Sequence, residues 1–168
     1  MFTRFNADYL LKTGIRASLV FILPLGLLAQ SPPDVRANLT AKRVVVSDGQ
    51  ESLVSADKAK PGEVIQYEAV YKNSGKSLVK NISATVPIPS GLVFVEGSPK
   101  PPAAEASLDG KSFAPLPLVR EVKNEAGVVE KQPVPVAEYR ALRWMINELP
   151  AGEGATVLLR ARVLTSAP

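Results

Sequence analysis

The sequence has no cysteine and no histidine. Without cysteine there is no disulfide framework, no thiol nucleophile and no iron–sulfur ligation. Without histidine, the commonest general base and the commonest transition-metal ligand are both missing. Ser-His-Asp triads and His-based zinc sites are excluded together, and no cofactor is implied. Only carboxylates, Lys or Tyr could carry catalysis, so the chain reads as a non-enzyme. Helical periodicity is missing too: after residue 29 no apolar repeat of period 3.6 runs for ten residues.

The charged and apolar residues of the first 29 positions form a recognisable sequence of their own. Arg4, Lys12 and Arg16 are opposed only by Asp8, and the run ASLVFILPLGLLA follows from Ala17 to Ala29. Pro24 and Gly26 break that run just before the small residue Ala29. A basic opening, a short apolar stretch and a small-residue site are the parts of a secretory signal peptide. The run is too short to span about 30 Å of hydrocarbon comfortably. Cleavage after Ala29 would leave 17 basic and 15 acidic residues, a net charge of +2 against +4 for the whole chain. The basicity therefore belongs largely to the signal, and no nucleic-acid partner is implied. No Cys follows the apolar run to take a lipid, and no second such run exists, so no membrane span is expected after cleavage. The expected location is outside the cytoplasm: periplasm, cell surface or secreted.

Residues 30–38 read as an exposed lead-in, and residues 39–168 as one β-sandwich domain with a Pro-rich β insertion at 98–137. Strands are expected at 39–47, 63–73, 78–86 and 92–97, with 48–62 a loop. In EVIQYEAVYKN, Ile65, Tyr67, Ala69 and Tyr71 alternate with Gln66, Glu68, Val70 and Lys72, the period of a half-buried strand. Pro87 and Pro89 place the stretch after Val86 at a sheet edge or at a crossing between sheets. Asp109-Gly110 and Asn124–Gly127 each mark a hairpin in the insertion. The last strands, 139–149 and 155–164, flank Pro150–Gly154. Seven or more short strands with Pro/Gly turns predict an all-β, immunoglobulin-like antiparallel sandwich. Registering the last two strands as a hairpin pairs Leu142 with Ala161, Trp144 with Leu159 and Ile146 with Val157, all inward. Arg143 then faces Arg160 on the outside, Met145 faces Leu158, and Arg162 lies diagonal to them.

Three segments resemble the bacterial conserved-repeat domain family, the domain of unknown function numbered eleven. PGEVIQYEAVYKNSG (61–75) is similar to its opening signature of Pro-Gly-acidic, alternating apolar residues with a Tyr, then Asn-x-Gly. NISATVPIPSGLVFVEG (81–97) resembles its second block, and WMINELPAGEGATVLLRARV (144–163) its closing block. Val86 and Pro87 stand where the family often has Asp-Thr. The resemblance implies a single immunoglobulin-like copy in an exported or surface protein, and it carries no catalytic residues.

Candidate chemistry is sparse. Asp48-Gly49 and Asp109-Gly110 lack the neighbouring carboxylates of a calcium loop and read as turns. Asn38-Leu39-Thr40 and Asn81-Ile82-Ser83 match the glycosylation pattern by chance, and no spacing marks an isopeptide triad. Tyr67, Tyr71 and Trp144 read as core. The candidate interaction face is Arg143, Arg160 and Arg162 with Met145 and Leu158 beside them. Its bland reading is neutralisation by Glu68, Glu138 or Glu148. Its functional reading is an anchor for an acidic partner surface. The leading expectation is a structural or interaction domain of the cell envelope that meets another envelope or surface protein. A glycan- or polyanion-binding module using the Arg face is the alternative. A hydrolase would need two carboxylates about 5–10 Å apart in a cleft.

Overall fold

Residues 35–165 are described by a computed structural model, in which every regular element but one is a β-strand. The expected signal peptide and residues 30–34 of the lead-in lie outside the described residues. The strands are β1 (Val35–Ser47), β2 (Gln50–Ser55), β3 (Val64–Asn73), β4 (Val79–Pro87), β5 (Leu92–Phe94) and β6 (Glu105–Ser107). They continue with β7 (Ala114–Pro115), β8 (Val119–Lys123), β9 (Val129–Pro133), β10 (Ala141–Leu149) and β11 (Gly154–Val163). A single 3-10 turn, Val136–Glu138, precedes β10. A five-stranded antiparallel sheet has the order β2-β1-β3-β11-β5, and a four-stranded one the order β4-β10-β6-β7. β8 and β9 form a separate hairpin.

The core lies between the two larger sheets. Ile65 and Ala69 of β3 and Val157, Leu159 and Ala161 of β11 are buried. So are Ala84 and Val86 of β4 and Leu142 and Trp144 of β10. Tyr67 and Tyr71 pack against this cluster half-buried. The Trp144 indole donates to the Pro101 carbonyl at 2.7 Å, tying the Pro-rich insertion to the sheet. Phe94 and Tyr139 stack with ring centroids 5.7 Å apart, and the Tyr139 hydroxyl accepts the Leu118 N–H at 3.0 Å. The stretch after Val86 does cross between sheets: β4 edges one and β5 the other.

Three expectations need correction. β1 begins inside the stretch read as a lead-in, with Val35 opposite Asn73. The loop expected at 48–62 contains β2, joined to β1 through Asp48 and Gly49, both at positive φ (51° and 77°). That is the backbone a two-residue hairpin turn requires. Neither β1 nor β2 buries a residue, so neither carries the alternation that marks a strand. Most consequential, β10 and β11 are not a hairpin. β10 pairs with β4 and β6, and β11 pairs with β3 and β5. Their apolar rows belong to one core cluster and meet across it from opposite sheets.

Candidate functional site

Separating β10 from β11 separates the arginines. Arg143 and the half-exposed Met145 lie on the outer face of the four-stranded sheet, opposite Thr85 and Ser83 of β4. Leu158, Arg160 and Arg162 lie on the outer face of the five-stranded sheet, opposite Glu68, Gln66 and Val64 of β3. The three guanidiniums do not form one face. Arg143 pairs across the strands with Glu105 of β6, donating from Nε at 2.8 Å, and stacks over the Phe113 ring at 4.2 Å. Its Nε and Nη2 both donate to the same Glu105 oxygen, Oε2. Arg162 donates from Nη1 to the Gly62 carbonyl at 3.0 Å and is otherwise exposed. The expected counter-ions have other partners: Glu138 binds Arg120 and Glu148 binds Lys80, each at 3.0 Å.

Arg160 is the most elaborated of the group. Its Nε donates to Gln66 Oε1 at 3.1 Å, and Nη1 and Nη2 donate to the two carboxylate oxygens of Glu51 at 3.0 and 2.8 Å. A forked donor gripping both oxygens is the strong form of an arginine–carboxylate contact. Gln66 is buried although it points away from the core, and its Oε1 is taken by Arg160. Glu51 comes from far along the sheet. The row through Arg160 runs to Gln66, then Lys42, then Ser55, and Glu51 stands four residues before Ser55 on β2. The last β1 residue with a β3 partner is Val44, so the ribbon of Val45–Ser52 runs past the sheet and must curl over its outer face for this pair to close. Around the pair is a hollow of about 360 Å³ lined by Lys100, Ser98, Glu96 and Leu158 besides Glu51, Gln66 and Arg160. The Arg160 fork holds Glu51 below the usual carboxylate range against the cost of burial, and Lys100 adds a smaller pull. Glu51 and Glu96 are thus two carboxylates at one hollow. A general acid needs a raised pKa, and Glu51 is moved the other way.

Elsewhere the turns are self-contained. Asp109 accepts the N–H groups of Lys111 and Ser112 at 2.7 Å and the hydroxyls of Ser107 and Ser112 at 2.9 and 3.1 Å. Its oxygens face donors, the surroundings of a turn-forming carboxylate and not of a cation ligand. Among the described residues no group of three or more acidic side chains converges on a metal position. The β8–β9 hairpin, legible in the sequence as two runs about Asn124–Gly127, projects from the body with every residue exposed except the half-buried Val122. Sequence reasoning missed Glu51 and Glu105. Glu105 stands in AEASL with an alternating signal of only three residues, and Glu51 lies on a strand with no buried side at all. Comparison with family models, with curated proteins and with solved structures finds no match.

Proposed function

We propose that this chain is a non-catalytic structural or interaction domain of the cell envelope, immunoglobulin-like and exported, that meets another envelope protein through a sheet edge. The observation that carries this reading is β4. It is a nine-residue edge strand with Asn81, Ser83 and Thr85 exposed. Its charge and its proline, Lys80 and Pro87, sit near the two ends, and Asn81 has a positive φ of 56° and stands outside the register with β10, which leaves Ile82–Val86 as a run without charge or proline. Edge strands that must stay unpaired are ordinarily blunted by such residues. The other edges are blunted: β2 carries Glu51, β7 is Ala114–Pro115, and β5 is three residues long between Pro89 and Pro99. An uncharged run of this kind on an edge is what strand addition uses. The resemblance of 61–75, 81–97 and 144–163 to the conserved-repeat family, and the basic and apolar opening of the chain, support export and an envelope setting. The glycan or polyanion alternative keeps one foothold, the Arg160 hollow.

The test is fractionation of the native host followed by cross-linking from position 83. The expected result is a protein outside the cytoplasm with a new N-terminus near Gln30 and a cross-linked envelope partner, lost in Ser83→Lys with unchanged melting. Full-length chain confined to the soluble cytoplasm, or partner capture indifferent to Ser83→Lys, overturns the reading.

A further inference from the structure

We propose that Arg160, with Lys100 beside it, is a binding site for a carboxylate on an acidic, extended protein segment, and that Glu51 is its built-in occupant. The inference rests on the protein-contact reading above and adds to it a second contact site with a partner class. The fork is held ready by the sheet: Gln66 fixes Nε at 3.1 Å, and Arg160's own N–H is taken by the Ser98 hydroxyl at 2.9 Å. Both terminal nitrogens then face the hollow, where Glu51 now fills them. Nothing in the core forces Glu51 there. β2 buries no residue, and the ribbon beyond Val44 has no β3 partner. A side chain that reaches Arg160 only because its own strand curls over the sheet can be replaced by an equivalent side chain from elsewhere. The occupant also states what fits: a Glu carried on an extended strand, lying across the outer face. With Glu51 withdrawn, Arg160 and Lys100 face Glu96 alone, and the hollow gains a net positive charge. An occupied site of this kind lowers the apparent affinity for an outside ligand by the fraction of molecules in which it stands open.

The probe is a labelled octapeptide of alternating Glu and Thr, titrated by fluorescence anisotropy with a Lys-Thr octapeptide as control. Glu51→Gln keeps the size of the side chain but cedes the charge, and it should bind the acidic peptide at least about ten-fold tighter than wild type. Arg160→Gln in that background should abolish the gain, and added salt should weaken the binding. In the wild type, saturating peptide should speed amide exchange at Gln50–Ser55 as the ribbon lifts. No gain in Glu51→Gln, or an equal gain with Arg160 removed, overturns the proposal. Uronic-acid oligosaccharide binding tighter than the peptide overturns the protein-segment assignment. Failure here with β4 capture intact leaves the domain reading standing, and loss of β4 capture with peptide binding intact does the reverse.

Discussion

The Asn73 amide gives its hydrogens to two carbonyls, Ser77 at 2.8 Å and Leu149 at 2.9 Å, and its oxygen accepts the Gly75 N–H at 3.0 Å. Its backbone donates to Glu153 and accepts from Gly152, both at 2.9 Å. One fully buried residue therefore ties the turn after β3 to the turn between β10 and β11. The Asn of the Asn-Ser-Gly signature is a two-turn clasp, which explains why an amide stands there and not a carboxylate. Asn73→Ala should cost about 1–3 kcal/mol, since the buried Leu149 carbonyl loses its donor. Asn73→Asp should cost more, because a carboxylate can donate to neither carbonyl and must be buried beside both. Urea denaturation of the two variants checks the order, and a milder Asp variant would show that the clasp works by size alone.

At the level of elements, strands with a buried side were legible and strands without one were not. β3, β10 and β11 announced themselves by alternation, and the β8–β9 hairpin by its turn residues. β1 was seen in part and β2 was read as loop, because a side chain exposed on both faces leaves no period. The candidate face failed for a subtler reason. Alternation fixes which side of a strand is inward, and that side is the same whether two strands lie abreast or face each other across a core. The five residues Pro150–Gly154, at about 3.3–3.6 Å each, reach easily over the roughly 10 Å between packed sheets. Parity could place Leu142, Trp144, Val157, Leu159 and Ala161 in the core, as observed, without naming their neighbours. The projecting hairpin makes its own prediction. Leu118 and Val134 at its base are buried, whereas its strands contribute almost nothing to the core. Replacing residues 120–132 by Asn-Gly should shift the melting temperature by less than about 4 °C, roughly the shift that 1 kcal/mol gives a domain of this size. Leu118→Ala should cost about 2–5 kcal/mol. A collapse of stability on trimming would mean that the hairpin braces the body.

For the molecule as a whole, the lack of histidine and cysteine shapes the response to pH. On the acid side, Glu51 is depressed by the Arg160 hydrogen bonds, Glu63 by the Lys60 N–H and then Arg43, and Asp109 by the N–H groups of Lys111 and Ser112. A depressed carboxylate stabilises the fold above its unfolded pKa of about 4 and ceases to as pH falls through its folded value. On the alkaline side, burial pushes the Tyr67 and Tyr71 phenols up. A raised phenol stabilises the fold below about pH 10 and ceases to as pH rises through its folded value. No side chain of the sequence titrates ordinarily between those windows. Urea midpoints should be flat from about pH 6 to 9 and fall on both sides. A slope inside that interval would require a group shifted far from its usual range.

β11 lies between β3 and β5, at the centre of the larger sheet, although it is the last strand of the chain. Until residues 154–163 have left the ribosome, β3 lacks one neighbour and β5 has no sheet to join. Pairing over such sequence distances is slow, because the loop must be closed before the contact repays it. The larger sheet is therefore completed only once residues 154–163 are available to pair with β3 and β5. Under the proposal that the chain is exported, that delay is an advantage: a polypeptide that cannot complete its sheet early would reach a translocation pore still unfolded.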